Sequence, residues 1–193
     1  MVIKTREKLI DVARQLFAYK GVENTTMNDI AAASDKGRRT IYTYFKNKRE
    51  IYNAVIERES DRLICQLREV ADSNMPPEIK LEKYLMLRFN VVVDRTPKHD
   101  TLRYIFGRDY RRIERIWRLA IDKESVLFKK VLNEGVAAGV YDAEQASRLP
   151  VLEALMFQGI DYCHMRDNFD SVGPDINRIR DEVIKFIIQG IKK

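Results

Sequence analysis

Apolar residues recur at helical spacing along nearly the whole chain, and only 8 glycines and 5 prolines punctuate its 193 residues. Such a chain lacks both the strict alternation of half-buried strands and the frequent turn signals of a sheet protein. It is read here as all-α. Hydrophobic residues make up 45% of it, enough to bury a core without disulfide or metal staples.

The few breakers divide the helices. A first helix is expected over residues 4–20, with Leu9, Ala13, Leu16 and Phe17 on one stripe and Gly21 as a left-handed C-cap. A second starts at Thr26, where Thr-Met-Asn-Asp forms a capping box, and ends near Ala33. A third covers about Arg38 to Phe45. A fourth follows Asn47, whose side chain caps while Glu50 returns the bond, and runs past Leu67. Met75-Pro76-Pro77 and Thr96-Pro97 bracket a fifth helix over 78–94. Further helices are expected at about 102–117, 121–138, 143–165 and 175–191, the later breaks falling at Ala138-Gly139 and Ser171–Pro174.

The formal net charge is +6, and Lys36, Arg38, Arg39, Lys46, Lys48 and Arg49 supply six cations with no acid between residues 36 and 49. A basic run by itself is commonly a solvated helix face. Here it lies within TTMNDIAAASDKGRRTIYTYFKNK, two short helices joined by a tight turn, the arrangement in which the second helix enters the major groove of DNA. That helix opens with Gly37-Arg38-Arg39-Thr40. Arginine's planar fork matches the two acceptors on the guanine edge, threonine can bond a base or a phosphate, and glycine lets backbone come close. Tyr42, Thr43 and Tyr44 carry hydroxyls for phosphate oxygens, while Ile41 and Phe45 should point into the core. Lys48 and Arg49 occupy a helix N-terminus that ordinarily favours acids, which suggests an anion there.

Phe17-x-x-x-Gly21 is followed by Thr25-Thr26-x-x-x-Ile30-Ala31, then Ile41-Tyr42-x-Tyr44-Phe45 and Lys46-x-Lys48. On these motifs residues 4–60, about a third of the chain, resemble the DNA-binding domain of the TetR family of repressors. The resemblance implies base or backbone contacts from Arg38, Arg39, Thr40 and Thr43, and phosphate contacts from Thr26, Tyr42, Tyr44 and Lys48. With Lys36, Gly37 and Lys46 these form the expected DNA-facing set. It also implies a reader over residues 1–48, completed by the start of the fourth helix, and a helical effector-binding and dimerisation domain over 49–193. One departure is the turn: the family has Ala-Gly-Val where this chain has Ser34-Asp35-Lys36. Aspartate tolerates a left-handed turn position, and the Lys36 ammonium must reach solvent or a phosphate.

Between Val183 and Ile191 six of nine residues are apolar, a band too wide for a helix that buries one stripe. One side is expected against its own domain and the other against a symmetry mate. Ile176, Ile179, Val183, Phe186, Ile187 and Gly190 would meet Leu152, Leu155, Met156 and Gly159 of the preceding helix in a four-helix homodimer interface. The alternative is a pair of central helices buried within one monomer. Tyr84, Phe89, Tyr104, Phe106, Tyr110, Trp117 and Phe128 are candidates to line an apolar effector pocket, although such residues more commonly fill a core. The arginines from Arg103 to Arg118 either serve an anionic effector or form a salt-bridged surface, and no ligand is assigned.

Other classes find little support. No glycine-rich phosphate loop, HExxH or nucleophile elbow is present, so catalysis, metal binding and cofactors are not expected. Two separated cysteines suggest a reducing cytoplasm, and no stretch is apolar enough for a secretory leader or membrane span. The expected function is a ligand-responsive transcriptional regulator, a repressor that binds a palindromic operator as a dimer and leaves it on binding a small molecule. The competing reading is a helical protein-interaction module derived from such a regulator, which would carry acidic or apolar replacements in the reading helix.

Overall fold

The computed structural model describes residues 2–94, 110–165 and 176–193, with side chains at 4–90, 118–157 and 179–193. The described residues form α1 (Val2–Lys20), α2 (Met27–Ala33), α3 (Arg38–Tyr44), α4 (Lys48–Ala71), α5 (Pro77–Asp94), α6 (Tyr110–Ala137), α7 (Ala143–Met165) and α8 (Ile176–Ile191). They contain no strand, only an isolated bridge between Tyr141 and Lys192. The chain is all-α.

Contacts divide it into two compact units, residues 1–60 with 96–117 and residues 61–95 with 118–193, so α4 contributes to both. In the N-terminal unit Leu9, Ala13 and Phe17 of α1 meet Ile30 of α2, Ile41 of α3 and Ile51 and Val55 of α4 in one apolar cluster. Gly21 ends α1 at φ +82°, a conformation that a Cβ would strain. Arg58 of α4 ties this unit further by pairing with Glu7 and Asp11 on α1.

In the C-terminal unit α5 packs against α7 and α8, and α7 against α8. Leu81, Tyr84, Leu85 and Phe89 of α5 are buried with Phe128, Val131 and Leu132 of α6, Phe157 of α7 and Ile184 and Ile191 of α8. Where two helices were expected at 102–117 and 121–138, the described part is one helix, Tyr110–Ala137. Arg118-Leu119-Ala120 holds no glycine or proline, so nothing interrupts the ladder there. Residues 102–109 lie outside the described residues. α7 continues through Pro150, which has no N–H to give the Ala146 carbonyl. No helix among the described residues is long and apolar enough to cross a membrane.

Candidate nucleic-acid interface

The geometry of α3 follows from its neighbours. Thr26 caps α2: its Oγ1 accepts the Asp29 N–H at 3.1 Å, and Asp29 Oδ2 accepts the Thr26 N–H at 2.7 Å. Asp29 Oδ2 also accepts the Thr26 hydroxyl proton and lies 3.0 Å from Lys20 Nζ. These bonds, led by the Thr26 backbone donor, hold the Asp29 carboxyl down at about 2. After Ser34 the chain turns through Asp35 at φ +55°, and the Lys36 N–H returns to the Ala31 carbonyl at 3.0 Å. The aspartate in place of the family's glycine thus holds the left-handed position expected of it.

The turn delivers Gly37 as the N-cap of α3 with no side-chain cap, and a Cβ there would meet nothing within 4 Å. Only Ile41 of α3 is fully buried, joined by Phe45 just past its end. Arg38, Arg39, Tyr42 and Thr43 are exposed and Thr40 and Tyr44 are half-buried. A seven-residue helix therefore spends one residue on the core and turns its cations and hydroxyls outward. Thr43 Oγ1 donates to the Arg39 carbonyl at 3.0 Å, which leaves its lone pairs facing solvent. Lys46 is exposed and Lys36 half-buried.

Two expected contacts acquire structural duties. The Thr26 hydroxyl proton is committed to Asp29, so the residue serves first as a cap. Lys48 does not project from its helix end: Nζ donates to the Val22 carbonyl at 2.7 Å and the Glu23 carbonyl at 3.0 Å. Partial desolvation pushes its pKa down, with Glu23 and Asp29 opposing. The carbonyls of the α1–α2 loop thus provide the negative partner that the sequence implied. Glu50 meanwhile caps the α4 end, accepting the Lys46 N–H at 2.7 Å while its own N–H reaches Asn47 Oδ1 at 3.0 Å.

Residues 9–55 match the family model of bacterial regulatory proteins, tetR family. The matched stretch runs from α1 into α4 and takes in both short helices between them. The chain is 33% identical over 91 residues to the "Probable acrEF/envCD operon repressor" of Escherichia coli (strain K12), the match covering 47% of this chain and 39% of that protein. The chain thus spans well under half the length of that relative. A TetR transcription regulator from Haloarcula marismortui superposes with a TM-score of 0.75 over 98% of this chain and 99% of its own at 14% identity. The regulator FadR from Bacillus subtilis, solved in complex with stearoyl-CoA, gives 0.62 over 96% and 98% at 18% identity. At such identities the likeness is one of fold alone.

The remaining sequence candidates fall in the C-terminal unit. Tyr84, Phe89 and Phe128 are all buried; Tyr84 and Phe128 rings lie 5.4 Å apart, and Phe89 meets Phe157 edge-on at 5.0 Å. Tyr104 and Phe106 lie outside the described residues, as do the side chains of Tyr110 and Trp117. On α7, Leu152 and Leu155 are 57% and 65% exposed, with Met156 half-buried. On α8, Ile179 and Phe186 are 39% and 77% exposed, Val183 and Ile187 half-buried and Gly190 open, whereas Ile184 and Ile191 turn inward. Ile176 is in α8, but its side chain and the surroundings of Gly159 are outside the described set.

Sequence reasoning passed over one group. Arg88 of α5, Glu124 of α6 and Glu153 of α7 are 4%, 6% and 6% exposed, three ionisable residues within the apolar interior of the C-terminal unit. A signal was available, since Glu153 is the lone charge in Leu149-Pro-Val-Leu-Glu-Ala-Leu-Met-Phe157.

Proposed function

We propose that this chain is a ligand-responsive transcriptional repressor of the TetR family. Its N-terminal unit reads a palindromic operator through α3, and its C-terminal region, from about residue 49 onward, dimerises and holds a small-molecule effector. The observation that carries the reading is the economy of α3, which gives Ile41 to the core and presents Arg38, Arg39, Tyr42 and Thr43 to solvent at a turn where Gly37 leaves space for a close approach. Arg38 and Arg39 read base edges, while Thr40, Tyr42, Thr43, Tyr44, Lys36 and Lys46 fix register on the phosphates.

A reading helix this short contacts few base pairs, so two heads at fixed spacing are needed for useful affinity. The apolar groups left uncovered on α7 and α8, Leu152, Leu155 and Phe186 above all, support dimerisation through those helices. The effector would bind more tightly to the dimer whose heads do not fit the operator, and by linkage DNA would favour the empty dimer. That the FadR neighbour was solved with stearoyl-CoA supports an effector role for the equivalent region here.

The test is binding to DNA fragments selected from genomic DNA, measured over a salt series. A repressor shows a steep log–log slope, about −0.9 for each phosphate neutralised. Arg38→Ala and Arg39→Ala each cost about 1–3 kcal/mol on the selected sequence, and much less on random DNA. Leu155→Glu with Phe186→Glu yields a folded monomer in light scattering. A flat salt response would instead favour a protein-interaction module.

A further inference from the structure

We propose that Arg6 of α1 is a further DNA contact, holding a backbone phosphate beside the bases that α3 reads. The proposal rests on the reading of the N-terminal unit as a DNA-binding head, and it extends the interface to a helix outside the set read from the sequence.

Placement around α3 carries it. The Arg6 guanidinium stands over the Phe45 ring, 5.4 Å from its centroid. Phe45 closes α3, its N–H donating to the Ile41 carbonyl at 2.9 Å. The next residue is Lys46, which is exposed and already assigned to the phosphates. Two residues after Arg6, Lys8 Nζ lies 3.6 Å from Asp35 Oδ2, in the turn that leads into α3. The start of α1 thus touches the chain on both sides of the reading helix, with one cation at each.

Of the two cations, Arg6 is the one fitted to a phosphate. Lys8 stands against the Asp35 carboxylate, whereas the acid next to Arg6 has a second guanidinium. Glu7 Oε1 lies 3.3 Å from Arg6 Nη1, and Glu7 Oε2 pairs with Arg58 Nη2. Arg58 is the fixed partner: its side chain is 15% exposed, and it pairs with Asp11 and donates to the Glu7 carbonyl as well. The Arg6 and Glu7 side chains are each 45% exposed and sit at adjacent helix positions, where an ion pair is weak. A phosphate oxygen can therefore take Arg6 while Glu7 keeps Arg58. The Phe45 ring attracts the guanidinium without accepting a hydrogen bond in its plane, so the N–H donors not turned to Glu7 remain for an outside acceptor, and a phosphate matches their fork. The first turn of α1 contains no acid that would repel one.

The test measures binding of the full chain to a random-sequence duplex by fluorescence anisotropy over a salt series, for the wild type, Arg6→Lys, Arg6→Gln and Arg6→Leu. A phosphate contact is independent of base sequence, so no operator is needed. Arg6→Gln and Arg6→Leu are expected to lower the log–log slope by about 0.9 and to weaken binding up to about eightfold at ~0.1 M salt, while Arg6→Lys keeps the slope. Lys83→Gln, which removes an exposed cation from α5, should leave it unchanged. Arg6→Leu separates the contact from mere cover for Phe45, since leucine shields the ring and cannot hold a phosphate. A wild-type slope in Arg6→Gln and Arg6→Leu, an Arg6→Lys slope as low as theirs, or an equal fall in Lys83→Gln overturns the proposal. Should Arg6→Leu fail to fold, Arg6→Gln decides by the same slope. A flat response from the wild type overturns this contact together with the repressor reading, whereas a steep wild-type slope that Arg6→Gln leaves intact overturns the contact alone.

Discussion

Gly135 tests the packing of the C-terminal unit more sharply than any other position. It is buried in α6, and a Cβ built on it would lie 2.1 Å from Cδ2 and 2.2 Å from Cε2 of Tyr141, where ordinary contact begins at 3.4 Å. The ring would have to retreat by more than an ångström, yet it is fully buried and its hydroxyl donates to the Pro77 carbonyl at 2.8 Å. The backbone beside it is pinned as well: the Asp142 N–H donates to the Ile191 carbonyl at 2.8 Å and the Lys193 N–H to that of Val140 at 3.1 Å. Two effects oppose each other in Gly135→Ala. Helix propensity favours alanine by about 1 kcal/mol. Overpacking costs about 1–3 kcal/mol if the ring is squeezed. If the ring is expelled, the loss is larger, roughly 4–6 kcal/mol for ~150–250 Å² of aromatic surface at ~25 cal/mol/Å² and about 1 kcal/mol for the hydrogen bond. The net destabilisation expected in urea unfolding followed by circular dichroism is up to about 2 kcal/mol with the ring squeezed and about 4–6 kcal/mol with it expelled. The control is the sign: in a Tyr141→Ala background the clash is gone, and Gly135→Ala should stabilise by up to about 1 kcal/mol. An equal effect of Gly135→Ala in both backgrounds would refute the argument.

Three further outcomes are expected. Thr26→Ala removes the cap of α2, costing about 1 kcal/mol in chemical unfolding; because Thr26 supplies the leading bonds to Asp29, that carboxyl should move up from about 2 toward 3.8 in an NMR titration. Lys48→Met removes the tie to Val22 and Glu23 and should lower stability by about 1–2 kcal/mol; if that tie is its main duty the salt slope of DNA binding stays put, whereas a phosphate contact would shift it by about 0.9. Glu153, pushed up from 4.5 to about 8, keeps its proton in the folded state where the unfolded chain has lost it. Its contribution to stability is therefore full below about 4.5 and is lost as pH rises through about 8, with a slope of at most about 1.4 kcal/mol per pH unit. Glu153→Gln should flatten that span, and a wild-type stability that rises over it would contradict the assignment.

The reader was legible in the sequence because its determinants are local. The Thr26–Asp29 capping box, the Gly21 stop and the Asp35 turn each act within four residues, and local rules place such features wherever they occur. The start of α7 was legible too, since Asp142 caps it. Interactions that join distant segments were not. Lys48 was read as calling for an external anion because the helix end is visible in the sequence while the Val22 carbonyl, 26 residues away, is not. The continuity of α6 was missed although Ile113, Trp117, Ala120, Leu127 and Val131 keep one helical spacing across the expected break, which no glycine or proline marks.

The same distinction separates the exposed cations of α3 from the buried charges of the C-terminal unit. An exposed cation on α3 is hydrated by solvent, so Arg38 and Arg39 require no compensating partner within the fold and show themselves as a basic run. A carboxylate inside an apolar cluster has no such freedom, because its neutralisation must come from another helix, a proton or a guest. Arg88 and Glu124, 36 residues apart in sequence, meet that requirement for each other. Glu153 stands beside Glu124 as a second carboxyl, and the fold keeps it at 6% exposure. Its substitution by leucine would remove the buried acid at little volume cost and should raise stability most above about pH 8, where the wild-type carboxyl has to be buried as an ion; a loss of stability there would contradict the argument.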